Sequence, residues 1–213
     1  MTRKDTMPTK KLIPLIAFIC AALMTSLFIF RHQHQTEALN LAEGSGTVFP
    51  APRELKPFDL ITANNQKFTP QHLLNHWTLL FFGFTHCPDI CPTTMEMLKR
   101  AYTTLHPQYP NLQVVLVSLD PDRDTPQKLL QYTQSFHADF IGVTGKRQEL
   151  RKLQSQLGIA SIQENTTDTH YQIQHTSTIL LINPQGQWMA LYPYGMRPDA
   201  FIQAFKQSIR YVS

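Results

Sequence analysis

The run Trp77-Thr78-Leu79-Leu80-Phe81-Phe82-Gly83-Phe84 constrains the fold more than any other stretch of the 213-residue chain. It carries no charge, and apolar and polar positions do not alternate along it. A strand built this way has no face for water and needs cover on both sides. Leu112 to Leu119 is a second strand of the same kind. Between the two, after Cys91-Pro92, Met95, Leu98, Tyr102 and Leu105 recur at helical spacing. A central sheet covered by helices accommodates all three segments, which sets the fold class as α/β.

The remaining elements follow the same plan. Phe58 to Ile61 and a return near Lys67-Phe68 read as a short hairpin around Asn64-Asn65. Pro126 opens a helix that runs to Phe136, because proline is tolerated at the first helical position. Phe140 to Val143 is a short strand and Arg147 to Leu157 a further helix. Thr178 to Ile182 and Trp188 to Tyr192 flank Asn183-Pro184-Gln185-Gly186, a β-turn that joins them. Pro198 to Tyr211 closes the chain as a helix. The predicted order is strand, helix, strand, helix, strand, helix, hairpin, helix, in one domain over residues 57–213.

Charge is distributed unevenly. The formal net charge is +4. Arg3, Lys4, Lys10, Lys11 and Arg31 stand against Asp5 alone, so residues 1–31 hold the whole excess. The rest of the chain is balanced and offers no basic surface to a nucleic-acid backbone. Residues 12–30 carry no formal charge, and an apolar helix of about 20 residues spans a bilayer. Basic residues cluster before this stretch, which places residues 1–11 in the cytoplasm and the body outside. A cleaved signal peptide is the rival, but its apolar region is usually about 7–15 residues long and ends at an A-x-A-like site. His32-Gln33-His34 follows here instead, so the expectation is a retained transmembrane helix. Cys20 reads as a buried apolar cysteine within it. Residues 31–56 are polar, with Gly44-Ser45-Gly46 and several prolines, and read as a tether. The short segment before the anchor, without an Arg- and Ser-rich leader, points to a bacterial inner membrane with the body in the periplasm.

Three cysteines are too few for a disulfide scaffold. Two of them, Cys87 and Cys91, lie where the aromatic strand gives way to a helix. The ends of strands are where α/β proteins place their chemistry. The four-residue spacing brings both sulfurs to one helical face if Cys87 enters the first turn. A helix N-terminus favours thiolate. Such a pair binds a soft metal or cycles with a disulfide. A purely structural bridge is the plain alternative, but it would close a three-residue loop, where chain-entropy stabilisation is small. Two thiolates and an imidazole suit Cu(I), and Cu(II) is also held by such a set. Of the nine histidines, His86 is nearest in sequence, though adjacency does not turn its ring toward the sulfurs. His32, His34, His72, His76, His106 and His137 stand in tether, loop or helix-end contexts that favour solvation. His170 and His175 flank Tyr171-Gln172-Ile173-Gln174, and the pattern does not choose between them.

The string Gly83-Phe84-Thr85-His86-Cys87-Pro88-Asp89-Ile90-Cys91-Pro92-Thr93-Thr94 resembles the Sco/SenC family, thioredoxin-like copper proteins that assist cytochrome oxidase assembly. Ser118-Leu119-Asp120-Pro121-Asp122-Arg123-Asp124-Thr125-Pro126 is similar to the family's acidic loop after the second strand. Tyr171-Gln172-Ile173-Gln174-His175-Thr176 is similar to its distal histidine segment. The three blocks, in order, cover Phe58 to Tyr211. The resemblance implies a thioredoxin-like sheet, and a copper site formed by Cys87, Cys91 and His175, selecting His175 over His170. It also implies Asp120 near the metal site or a partner surface. Asp124 and Thr125 have a local reading, as a turn residue and as the cap of the helix from Pro126. One departure stands out: the family often has an acidic residue before the histidine, and this chain has Gln174. A carboxylate there would orient or tune the site from outside the ligand set.

The resemblance thus implies a membrane-anchored copper chaperone. It would receive copper from an extracytoplasmic donor and deliver it to the dinuclear copper centre of cytochrome c oxidase subunit II. The alternative is a thiol-disulfide oxidoreductase that reduces the cysteines of that centre or of other extracytoplasmic proteins. It would need a thiol reductant of its own, and would use Cys87 and Cys91 as attacking and resolving thiols. Two features weigh against a general reductase: the C-x-x-x-C spacing, and Thr176-Ser177-Thr178, which lacks the proline that usually faces the cysteines in thioredoxins. Peroxidase chemistry ranks lower. Structural zinc generally wants four protein ligands, and three are in view.

Overall fold

The computed structural model describes residues 19, 22–26, 39–40, 46–164 and 171–212. They fall into two units, Met1–Ala38 and Leu39–Ser213. Most of the expected anchor over residues 12–30, together with Cys20, His32, His34 and His170, lies outside the described residues. Residues 22–26 are helical and exposed. Among the described residues no helix is long and apolar enough to cross a membrane.

The second unit is built on β5 (Trp77–Gly83) and β6 (Leu112–Ser118), paired in parallel from Trp77 opposite Leu112 to Gly83 opposite Ser118. Leu79 to Phe82 and Val114 to Val117 are wholly buried, as strands covered on both faces must be. β7 (Ile141–Thr144) continues the parallel set beside β6. A short hairpin, β3 (Leu60–Thr62) and β4 (Lys67–Phe68), extends it. Asn65 turns that hairpin with φ 58°, a left-handed conformation that asparagine tolerates. On the other side of β5 lie β10 (Ile179–Ile182), antiparallel to β5, and β11 (Gln187–Tyr192), antiparallel to β10. Between them Asn183 Oδ1 accepts from the backbone of Gln185 and Gln187, and Gly186 supplies φ +78°.

Two further strands complete the sheet: β1 (Leu39–Asn40) and β2 (Thr47–Glu54). The sheet has nine strands in the order β1-β2-β11-β10-β5-β6-β7-β3-β4. β2 corrects the reading of residues 31–56 as a tether. Thr47 and Val48 pair with Leu191 and Ala190, and Arg53 and Glu54 with Trp188 and Gln187. Arg53 also lays its guanidinium over Phe49 and Trp188. Pro50 and Pro52 fall in the irregular stretch between those two paired ends, where a missing N–H breaks no ladder bond.

The helices are α1 (Ile90–Leu105), α2 (Pro126–Phe136), α3 (Arg147–Gln156) and α4 (Pro198–Val212). α1 buries Met95, Leu98, Ala101 and Leu105 and packs against α4, while α2 packs against β7. Thr125 caps α2, its hydroxyl accepting from Lys128 N at 3.3 Å. One element had no counterpart in the sequence reading. β8 (Ser161–Glu164) and β9 (Gln172–His175) form a separate two-stranded antiparallel sheet. Its alternation, Ser161-Ile162-Gln163 and Gln172-Ile173-Gln174, is the signal that could have shown it.

Candidate metal centre

Cys87 and Cys91 sit at the carboxyl end of β5, as the sequence places them, but by a different local route. α1 begins at Ile90, so Cys87 lies in the preceding loop and not in the first helical turn. The reason is Pro88, because a residue before proline is pushed out of the helical region. The loop folds back, with Cys87 N bonded to Phe84 O at 3.2 Å. Its sulfur then rests at the helix N-terminus, where Cys91 N donates to Cys87 Sγ at 3.4 Å. Both cysteines are free thiols, Cys87 half-buried and Cys91 fully buried.

This placement divides the pair electrostatically. A hydrogen bond with the Cys91 side chain, followed by backbone bonds from Cys91 and Asp89, lowers the Cys87 pKa to about 5 against the opposing effect of burial. The same bond to Cys87, together with burial and the nearby charges of Cys87 and Asp124, pushes the Cys91 thiol far up. The pair therefore holds one proton readily, on Cys91, and presents one thiolate, on Cys87. Gly83 leaves room for the buried sulfur, since a Cβ there would come within 3.0 Å of Cys91 Sγ.

His175 closes the constellation. It is the last residue of β9, and its Nε2 lies 3.9 Å from Cys91 Sγ across 84 residues of sequence. The rings of Phe81 and Phe84 stand edge-on to it at 6.2 and 6.1 Å. Its Nδ1 is 3.0 Å from the Thr176 carbonyl. A carbonyl only accepts, so Nδ1 carries the proton, and in the neutral ring Nε2 is the donor atom that faces Cys91. Two donors at about 2.2 Å from one ion at a trigonal angle lie about 3.8 Å apart, so the Cys91–His175 separation of 3.9 Å suits a shared ion. The Thr176 carbonyl performs the orienting role that a carboxylate at position 174 could have performed. Gln174 is exposed on the other face of β9 and donates to Glu164.

The other described histidines are occupied elsewhere. His86 is exposed and turns to Thr85 Oγ1 at 3.1 Å, with Asp124 Oδ1 at 3.7 Å. His72 accepts from Thr69 N at 3.1 Å and stacks on Phe68. His76 bonds to Leu74 O, and His106 and His137 pack on Tyr102. Donor atoms of His86, Asp120 and Asp124 lie within 4.8 Å of one another. Both carboxylates there already accept hydrogen bonds from protein groups, and carboxylates are poor partners for soft cations. Tyr132, which the sequence reading overlooked, buries a hydroxyl without a hydrogen-bond partner. Burial, then the charges of Cys91, Cys87 and Asp124, raises its pKa. No local pattern marks this residue, because its place near the thiols arises only from packing of α2.

Fold and site together define a thioredoxin-like protein with two thiols and an imidazole gathered at one sheet end. The sequence matches the SCO1/SenC family over residues 49–210, and the chain belongs to that family. A protein of Stutzerimonas stutzeri is 37% identical over 147 residues, covering 68% of this chain and 72% of that one. An SCO2-like protein of Rickettsia prowazekii is 32% identical over 152 residues, 70% of this chain and 74% of that one. Among solved structures, Arabidopsis thaliana ScoI with copper bound superposes with TM-score 0.69 at 30% identity, covering 73% of this chain and 97% of that one.

Proposed function

We propose that this chain carries copper for the assembly of cytochrome c oxidase, holding the ion through Cys87 Sγ, Cys91 Sγ and His175 Nε2. One observation carries the reading: His175 turns Nε2 toward Cys91 Sγ at 3.9 Å, with the ring held from behind by the Thr176 carbonyl. Soft thiolates select Cu(I), and the imidazole extends the set to Cu(II). The copper-bound Arabidopsis relative supports the choice of metal. Cys87 is the more exposed sulfur, so the ion enters and leaves on its side by exchange of ligands with incoming thiolates. The acceptor is the dinuclear copper centre of cytochrome c oxidase subunit II, and an extracytoplasmic donor loads the site. The N-terminal segment anchors the chain in a bacterial inner membrane with the head outside, which raises the effective concentration of the head near its acceptor.

The test uses full-length reduced protein in detergent, loaded with copper and mixed with the metal-free copper domain of subunit II. Metal analysis of the acceptor after separation should show copper with wild-type donor and none with Cys87→Ser or Cys91→Ser. Loaded wild-type protein that releases no copper to the acceptor would refute delivery. A second reading, thiol-disulfide exchange, draws on the acidic, half-exposed Cys87 beside a resolving thiol. Reduction of a disulfide-bridged acceptor in metal-free buffer supports it, and failure of that reaction counts against it.

A further inference from the structure

Behind the thiols and the imidazole lies a buried polar network built on one turn, Ser118 to Asp124. Asp124 is wholly buried. Its Oδ2 accepts from Thr85 N at 3.0 Å and from Ser118 Oγ at 2.6 Å, and its Oδ1 accepts from Thr85 Oγ1 at 2.5 Å. Thr85 stands two residues before Cys87. Asp120 is 1% exposed. Its Oδ2 accepts from Arg123 Nε at 2.5 Å, and its Oδ1 accepts from the Tyr171 hydroxyl. Arg123 also lies over the Tyr171 ring, 3.6 Å from the centroid. Tyr171 immediately precedes β9, which ends in His175. Ser118 links the Asp124 carboxylate to the backbone of Asp120, donating to the former at 2.6 Å and accepting from Asp120 N at 3.0 Å.

The histidine strand needs such an anchor. β9 pairs with β8 and not with the nine-stranded sheet, and an isolated two-stranded ribbon is marginal in water. Besides the apolar contact of Ile173 and the contacts of His175 itself with Phe81, Phe84 and Cys91, β9 is tied to the body by Tyr171 at its start and, through β8, by Gln154 donating to Ser161 at 2.7 Å. We infer that Asp120 and Asp124 are paired anchors for the two halves of the copper site: Asp124 fixes the cysteine loop through Thr85, and Asp120 fixes the histidine strand through Tyr171. Neither carboxylate touches the metal in this arrangement. Tyr171, Arg123 and Thr85 are positioning residues that set the imidazole against the thiols before copper arrives. The inference rests on the copper reading for its purpose, but the anchoring itself exists without metal.

The test is Tyr171→Phe in the full-length protein, which keeps the ring beneath Arg123 and removes only the hydroxyl. Two readouts separate the claims. In the reduced metal-free protein, nuclear Overhauser contacts between the His175 and Phe84 rings should weaken while the melting curve stays close to wild type. In protein loaded with Cu(II), nitrogen hyperfine structure from His175 should become heterogeneous and affinity should fall about 10-fold, at the low end for outer-shell partners of metal ligands. Asp120→Asn keeps one acceptor oxygen for Tyr171 but turns its amide nitrogen toward the Arg123 donor, so it should weaken both signals in parallel. If Tyr171→Phe fails to fold, Arg123→Lys, which loses the planar stacking, takes its place with the same readouts. Unaltered ring contacts and an unaltered copper spectrum in a folded variant would overturn the inference. So would an Asp120→Asn protein that loses copper nitrogen coordination while keeping its ring contacts, since the carboxylate would then act on the ion directly. A wild-type spectrum indifferent to His175→Ala would instead refute the copper reading, and the metal-free ring contacts would still judge the anchors.

Discussion

Gly83 gives Cys91 its place. A methyl group there would stand 3.0 Å from Cys91 Sγ and 3.2 Å from carbons of Leu116 and Phe81. None of those neighbours is the free end of an exposed chain, because all three residues are wholly buried. Gly83→Ala should therefore shift the thiol, destabilise the fold by about 1–3 kcal/mol as overpacking does, and weaken copper binding. Urea denaturation and a competitive copper titration measure the two effects, and unchanged values in both would show that the site has slack. Cys87 yields a second prediction. Its thiolate form is favoured down to about pH 5, so alkylation of the reduced metal-free protein should rise through that pH and level off above it. An ordinary thiol would still be gaining rate near pH 8.5. Cys91, with its pKa raised, should resist alkylation throughout.

Among elements, α2 provides a self-contained check. Its N-terminus is made by Thr125 accepting from Lys128 N and by Pro126 at the first position. Thr125→Ala should cost about 1 kcal/mol and lower the melting temperature without moving the copper spectrum. A changed spectrum would mean that the cap also serves the site. This cap was legible in sequence because it is local, and so were β5 and β6, whose unbroken apolar runs admit one kind of burial. β2 was not, because Pro50 and Pro52 and a polar composition resemble a linker until β11 is seen to pair with both of its ends. The β8–β9 ribbon was missed for a related reason. Its alternation covers only four residues in each strand, a weak signal, and it is held by Tyr171 reaching Asp120, 51 residues away. The choice of His175 over His170 likewise came from family resemblance and not from spacing. It depends on an approach across 84 residues that no local pattern encodes. The position of Cys87 outside the helix was readable in principle, from the proline that follows it.

On the scale of the whole molecule, the net charge of +4 belongs to the N-terminal 31 residues, and the remainder is neutral. In the topology proposed above, that charge orients the chain at a membrane and is not a surface for a polyanion. The head then needs no large basic or acidic face, and its chemistry is concentrated at one sheet end. There β5 supplies the cysteine loop, the turn after β6 supplies two carboxylate anchors, and a detached ribbon supplies the histidine. The central claim is that these three segments converge on one copper ion. X-ray absorption at the copper edge of the reduced, anaerobically loaded protein tests it most directly. Two sulfur neighbours and one nitrogen are expected in the wild type, with the nitrogen lost in His175→Ala. An identical ligand shell in His175→Ala, or a shell with fewer than two sulfurs in the wild type, would contradict it.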